Sequence, residues 1–199
     1  MLNRPTNHIY TNWMNNNIIK PIIFQTWRKK NFHRKIEKLR KGMVNSNPNF
    51  DFRLFSNEEM DNSIEEYFDY DIINSYFILK HYAARSDFWR DLMLKKFGGI
   101  YLDIDSLILK NLKPLYEINR SILTLEPTKT DFIQWVLIFN KDDEVLETCV
   151  EMIIQNIRNK KYKNDVMSLT GPTLFTNAIK KVLKLSSDFE LDVSKNETL

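Results

Sequence analysis

Four charged residues near the middle of the chain have the types and spacing to do chemistry. Asp87 and Arg90 stand three positions apart, and Asp103 and Asp105 stand two apart in Gly98-Gly99-Ile100-Tyr101-Leu102-Asp103-Ile104-Asp105. Side chains alternate along a strand, so this spacing predicts that Asp103 and Asp105 leave one face while Leu102 and Ile104 leave the other. Two carboxylates at the end of an apolar strand repel each other unless a cation lies between them. Hard oxygen ligands of this kind suit Mg2+ or Mn2+, which take one or two protein carboxylates and complete their shells with phosphate and water. A bare Asp-x-Asp is also a common way to solvate a turn. Asp87 and Arg90 share a helix face, where the simplest role is a surface ion pair contributing about 1 kcal/mol or less.

The elements that must position these groups follow from pattern. Pro21 to Trp27 is a short apolar run that predicts a buried strand. Phe32, Ile36, Leu39 and Met43 recur at helical spacing, with Gly42 placed as the C-terminal cap. Phe50 to Phe55 alternates as a second strand, and Ser56 with Glu59 forms a capping box that opens a polar helix to about Phe68. A helix through the 70s leads to another over His81 to Phe97, stopped by Gly98-Gly99, which free the backbone to turn into the strand Ile100 to Asp105. Further strands are expected at Ile122 to Leu125 and Trp135 to Phe139, then a helix from Asp143 to Arg158 and a last one opened by Thr170-Gly171-Pro172. The order predicts an α/β protein with a mainly parallel central sheet flanked by helices. Ligands bind such sheets at the C-terminal ends of their strands.

Composition narrows the class. The chain has 199 residues, with 29 Lys and Arg against 26 Asp and Glu, and this net charge of +3 is too small to argue for a nucleic-acid binder. The composition, 43% hydrophobic and 13% aromatic, is that of a folded domain. Residues 1–19 read as a flexible, Asn-rich lead-in, and 20–199 as one domain. Cys149 has no intrachain partner, and His8, His33 and His81 lack metal-ligand spacing, so zinc is not expected. Without an apolar run long enough to cross a membrane, the chain reads as cytoplasmic. The runs Arg28-Lys29-Lys30, Arg34-Lys35, Lys38, Arg40-Lys41 and Lys160-Lys161 with Lys163 read as solvated faces, or as a peripheral contact with an anionic membrane.

Several of these pieces occur together. Ile22 to Trp27, Asn47-Pro48, Ala84-x-Ser86-Asp87-x-x-Arg90, Gly98 to Asp105 and, more faintly, Thr170-Gly171-Pro172 resemble, in this order and spacing, the family 32 glycosyltransferases. That group has a sugar-binding region with a DXD motif, includes the yeast initiating α-1,6-mannosyltransferase, and is related to the catalytic domain of clostridial glucosylating toxins. The resemblance covers Pro21 to about Pro114 and implies a GT-A fold, Rossmann-like, that moves a sugar from a UDP- or GDP-sugar to a glycan, lipid-linked or protein acceptor with retention of configuration. It implies Mn2+ or Mg2+ held directly by Asp105, with Asp103 contacting ribose or sugar and assisting at the metal through water; Asp87 and Arg90 as holders of the sugar hydroxyls, Arg90 also within reach of the phosphate; Tyr101 beside the metal motif; and Trp27 stacked on the base. Trp89, Trp135 and Phe88 are assigned to the core, and Asp91, where relatives carry an aromatic residue, to the helix surface. Relatives continue past the point matching Leu185 with a further segment, so 20–199 reads as a catalytic domain lacking that segment. The alternatives are a nucleotide-sugar-binding protein with weak transfer and a basic nucleic-acid or membrane-surface binder.

Overall fold

The computed structural model describes residues 21–126 and 131–186; the lead-in expected over 1–19 lies outside the described residues. The elements are β1 (Ile22–Thr26), α1 (Arg34–Ser46), β2 (Asp51–Phe55), α2 (Asn57–Tyr67), α3 (Tyr70–Ile78), α4 (Tyr82–Phe97), β3 (Gly99–Leu102), α5 (Lys113–Tyr116), β4 (Val136–Phe139), α6 (Glu144–Arg158), α7 (Val166–Leu169) and α8 (Pro172–Val182). The strands form one sheet in the order β2-β1-β3-β4. β1 runs parallel to β2 and β3, and β4 is antiparallel to β3, so the sheet is mainly parallel, as expected.

Helices cover both faces, which is why the central strands are apolar on both sides. Ile22, Phe24, Tyr101, Leu137 and Phe139 pack with α2, α3, α4, α6 and α8 in the larger core. Ile23, Ile100, Leu102 and Ile138 face the other way, onto Met43 of α1 and Phe50. The capping box at Ser56 and Glu59 forms as predicted, and Asp143 caps α6.

Gly98 and Gly99 make the tightest passage in the fold. Their φ angles are +65° and +111°, in the region that favours glycine. A Cβ on Gly99 would lie 2.7 Å from the carbonyl oxygen of Ile22, and one on Gly98 would lie 2.8 Å from the amide nitrogen of Lys141. Only bare backbone fits as α4 turns back to send β3 between β1 and β4.

Three local expectations are corrected. The strand predicted to run through Asp105 ends at Leu102, because β1 pairs β3 only at Ile100 and Tyr101; Asp103 to Ser106 then turn, the Ser106 amide donating to the Asp103 carbonyl at 3.0 Å. Ile122 to Leu125 contributes two isolated bridges, to Ile138 and Phe132, rather than a strand. Gly42 does not cap α1. The helix continues to Ser46 and ends at Asn47, whose amide bonds the Val44 carbonyl.

Candidate functional site

α4 and the end of β3 bring the acidic and basic candidates together. Arg90 is only 8% exposed and is held on several sides. Its Nη2 meets Asp87 Oδ1 at 2.9 Å, its Nη1 donates to the Gln134 carbonyl at 2.6 Å, and its Nε donates to the Ser86 carbonyl at 3.4 Å. The guanidinium carbon stacks 4.3 Å from the centre of the Tyr101 ring. Asp103 Oδ1 lies 3.9 Å from Nη1, close enough to feel the charge without a direct bond. What the sequence offered as an ordinary surface pair is therefore a buried one, and a planar fork is what allows one side chain to serve a carboxylate and a carbonyl together.

Tyr101 works on the other flank of Asp103. Its phenol donates to Asp103 Oδ1 at 2.7 Å and lies 3.1 Å from Thr26 Oγ1, which is itself 3.1 Å from Ser86 Oγ. Burial pushes the Tyr101 phenol up to about 12, with Asp103 adding to the rise, so it stays a donor at neutral pH. The Thr170 hydroxyl donates to the second oxygen of Asp87 at 3.1 Å. Burial raises the Asp87 carboxyl to about 6 against the opposing pull of Arg90 and Thr170. The same desolvation raises Asp103, opposed by Arg90 and the Tyr101 bond and reinforced by Asp105. Burial disfavours the charge on Arg90, but Tyr101, Asp87 and Asp103 outweigh it and raise the guanidinium.

These groups line a cleft of about 450 Å³ at the C-terminal ends of β1 and β3, with Thr26, Trp27, Asn57, Met60 and Tyr82 forming much of the rest of its wall. A larger groove of about 940 Å³ along β2, α1 and α2 contains none of the four charged candidates. All six predicted site residues, Trp27, Asp87, Arg90, Tyr101, Asp103 and Asp105, border the smaller cleft. Trp27 is 41% exposed at its rim, and Asp105 is exposed on the turn beyond Asp103, with no side-chain hydrogen bond or ion pair among the described residues.

Sequence reasoning missed the supporting groups. Nothing local marks Thr26, Gln134 or Thr170 as partners of Tyr101, Arg90 and Asp87, because the contacts join segments 75, 44 and 83 residues apart. Trp89 and Phe88 are buried as expected, but Trp135 is 50% exposed. Asp91 is corrected in the opposite sense: it is 0% exposed within α4, and neither carboxylate oxygen has a hydrogen-bond partner. Burial raises its carboxyl well above the ordinary range, with Arg90 only partly opposing the rise.

Comparison with known proteins agrees with this fold. Over 197 residues the chain is 24% identical to the initiation-specific α-1,6-mannosyltransferase of Candida albicans, a match covering 79% of this chain and 51% of that protein. It is 31% identical over 97 residues to an uncharacterised glycosyltransferase of Acanthamoeba polyphaga mimivirus, covering 48% of this chain and 39% of that one. It is also 31% identical over 97 residues to inositol phosphoceramide mannosyltransferase 3 of Schizosaccharomyces pombe, covering 49% and 27%. The chain thus spans about half or less of the length of these curated relatives. Its fold is shared with the PaToxG glycosyltransferase, at a TM-score of 0.64 and 19% identity over 83% of this chain and 70% of that one. A transferase solved as a double Cys-to-Ser variant aligns at a TM-score of 0.56 and 10% identity, covering 90% and 91%. These neighbours make the sheet and its helices a GT-A fold. The model of the glycosyltransferase sugar-binding region containing the DXD motif matches residues 22–122, from β1 through Asp103 and Asp105 to the bridge at Ile122, and the chain belongs to that family.

Proposed function

We propose that this chain transfers a sugar from a UDP- or GDP-sugar to a hydroxyl of a glycan, lipid-linked or protein acceptor, with retention of configuration. The observation that carries the reading is the convergence of Asp87, Arg90, Tyr101, Asp103 and Asp105 on one cleft at the strand ends, in a chain of the DXD family. In the transfer, the bond from the anomeric carbon to the diphosphate oxygen breaks with its electron pair staying on the diphosphate, a bond to the acceptor oxygen forms, and the acceptor hydroxyl passes its proton to the departing diphosphate oxygen. The unit carrying this activity is proposed to be a single domain over residues 20–199.

The residues present fit a divalent cation. Asp105 is exposed and uncommitted, and Asp103, whose carboxyl is raised in part by Asp105, stands beside it at the cleft mouth. Among the described residues no group of three or more His, Cys, Asp or Glu gathers as a metal cage. An exposed carboxylate beside a half-buried one is the donor set that Mn2+ or Mg2+ accepts when diphosphate and water complete the shell. Asp105, with Asp103 assisting, would hold the ion, which would supply stabilisation of the negative charge growing on the departing diphosphate.

The protein's own part is positioning. Arg90 fixes Asp87 and the Gln134 backbone, which leaves Asp87 aimed at the cleft with lone pairs to accept from sugar hydroxyls. Tyr101 holds the orientation of Asp103, and Trp27 offers an aromatic face to the base at the rim. Among the described residues no helix is long and apolar enough to cross a membrane. Exposed Arg28, Lys29, Arg34, Lys35 and Lys38, which form no ion pair among the described residues, favour peripheral contact with an anionic membrane from the cytoplasmic side.

Calorimetry with a panel of UDP- and GDP-sugars, with and without EDTA, tests the reading. Binding is expected only with Mn2+ or Mg2+, and Asp105→Asn is expected to abolish donor hydrolysis with the fold intact. Equal binding in EDTA, or unchanged hydrolysis by the variant, would refute it. Binding without turnover in the unaltered protein would identify a nucleotide-sugar binder instead.

A further inference from the structure

Trp135 is the large side chain whose position its sequence does not explain. It precedes the apolar strand β4, where a core role was expected, yet half of its surface faces solvent. Its backbone is nevertheless pinned to the site from two directions. The Asp103 amide donates to the Trp135 carbonyl at 3.0 Å, and Arg90 Nη1 donates to the carbonyl of the residue before it, Gln134.

The register tells where the indole points. β3 and β4 pair Tyr101 with Leu137 and Leu102 with Val136, and the amide bond from Asp103 continues that register to Trp135. Directly opposed residues of an antiparallel pair carry their side chains on the same face. By that register the Trp135 side chain falls on the Tyr101 side of the sheet, opposite Asp103 and one step past the last strand pair, Leu102 and Val136. Strand order then sets the layout: Trp27 follows β1, Asp103 follows β3 and Trp135 precedes β4, in that sequence across the sheet. Adjacent strands lie about 4.8 Å apart, so the backbones of Trp27 and Trp135 stand roughly one strand spacing to either side of Asp103. The cleft occupies the β1 side and includes Trp27 but not Trp135.

We infer that Trp135 is the acceptor platform: its exposed indole takes the apolar face of a pyranose ring, so the acceptor is a glycoside approaching from the β4 side. The inference rests on the transferase reading for its role, since the donor is taken to fill the cleft between Trp27 and Asp103. A flat, rigid aromatic held by backbone bonds to the site's own residues suits a ring that must be placed without moving the aspartates. A protein acceptor presenting a bare serine or threonine has no such ring to lay on it.

The chain has four tryptophans, Trp13, Trp27, Trp89 and Trp135, so 5-fluorotryptophan labelling gives a separate fluorine resonance for each, assigned by its loss in the Trp→Phe variants. The methyl pyranosides of glucose, mannose and galactose are titrated with and without Mn2+ and either UDP or GDP. A saturable shift of the Trp135 resonance with at least one pyranoside is expected, while one of the two nucleotides with Mn2+ moves Trp27. No Trp135 shift with any of them, in either condition, overturns the inference. A silent Trp27 resonance counts against the transferase reading and is read independently of Trp135. In turnover with the pyranoside that binds, Trp135→Ala should lower the ratio of transfer to donor hydrolysis about 10-fold, equivalent to roughly 1.4 kcal/mol, leave hydrolysis itself unchanged, and be largely rescued by Trp135→Phe. An unchanged ratio in Trp135→Ala, or equal loss of transfer and hydrolysis, also overturns it.

Discussion

Replacing Arg90 by Met is the sharpest perturbation of the buried charge cluster. The side chain is 8% exposed, and its loss strips Asp87 of a 2.9 Å ion pair and leaves the Gln134 carbonyl without its donor. Breaking a buried pair by removing one partner costs about 3–5 kcal/mol, because the remaining charge is left uncompensated. For a domain of this size each kcal/mol moves the melting temperature by about 2–4 °C, so the midpoint should fall by roughly 6–20 °C. The loss should also depend on pH. Asp87 is raised to about 6 in the folded state with Arg90 present. A carboxyl raised above its unfolded value contributes stability that is full below that unfolded value and is lost as pH rises through the folded one. Without Arg90 its folded value climbs further, so the deficit of the variant against the unaltered protein should be smaller near pH 5, where the lost donor to Gln134 still counts, and full near pH 8. Urea unfolding followed by circular dichroism across this range measures both effects. A deficit below about 1 kcal/mol, or one equal at both pH values, would refute the account of Arg90 as the buried counter-charge. Arg90→Lys keeps the charge without the fork and should fall between the two.

Three further predictions concern packing and backbone. Asp91→Val removes two buried oxygens that have no hydrogen-bond partner and should stabilise the protein by about 1–3 kcal/mol in the same urea assay; a loss of stability would mean that the carboxyl has a partner in solution. Gly42→Ala, in the exposed interior of α1 with nothing within 4 Å of the added Cβ, should stabilise by about 0.5–1 kcal/mol. Gly99→Ala, which forces a Cβ to 2.7 Å from the Ile22 carbonyl oxygen, should leave little soluble folded protein. Comparable thermal midpoints for the two glycine variants would contradict the passage described for β3.

The legible parts of the chain were those written in local sequence. Gly98-Gly99 announced the turn into β3, Ser56 and Glu59 the start of α2, and the apolar runs the strands β1 and β4. The DXD residues were found, but the way they project was not. The alternation of a continuing strand put both aspartates on one face, whereas β3 runs out of β1 partners after Tyr101, and Asp105 lies on a turn. Gly42 was misplaced because glycine marks a cap only where the helix ends, and α1 continues to Ser46. Asp91 and Trp135 were each assigned by residue type, one to the surface and one to the core. Their neighbours across the fold set the reverse. The hydroxyl on Asp87 and the carbonyl on Arg90 were invisible for the same reason, since Thr170 and Gln134 reach the site only through tertiary packing.

The bond from Thr170 to Asp87 also bears on when the site comes into being. During synthesis Asp87 leaves the ribosome 83 residues ahead of the hydroxyl that completes it, an interval of roughly 4–17 s at about 5–20 residues per second. The Gln134 carbonyl that takes Arg90 emerges between them. A nascent chain stopped short of α7 therefore holds the α4 acid and guanidinium without part of their final coordination. Segments made later than the motif, not the motif itself, finish the electrostatic environment in which it works.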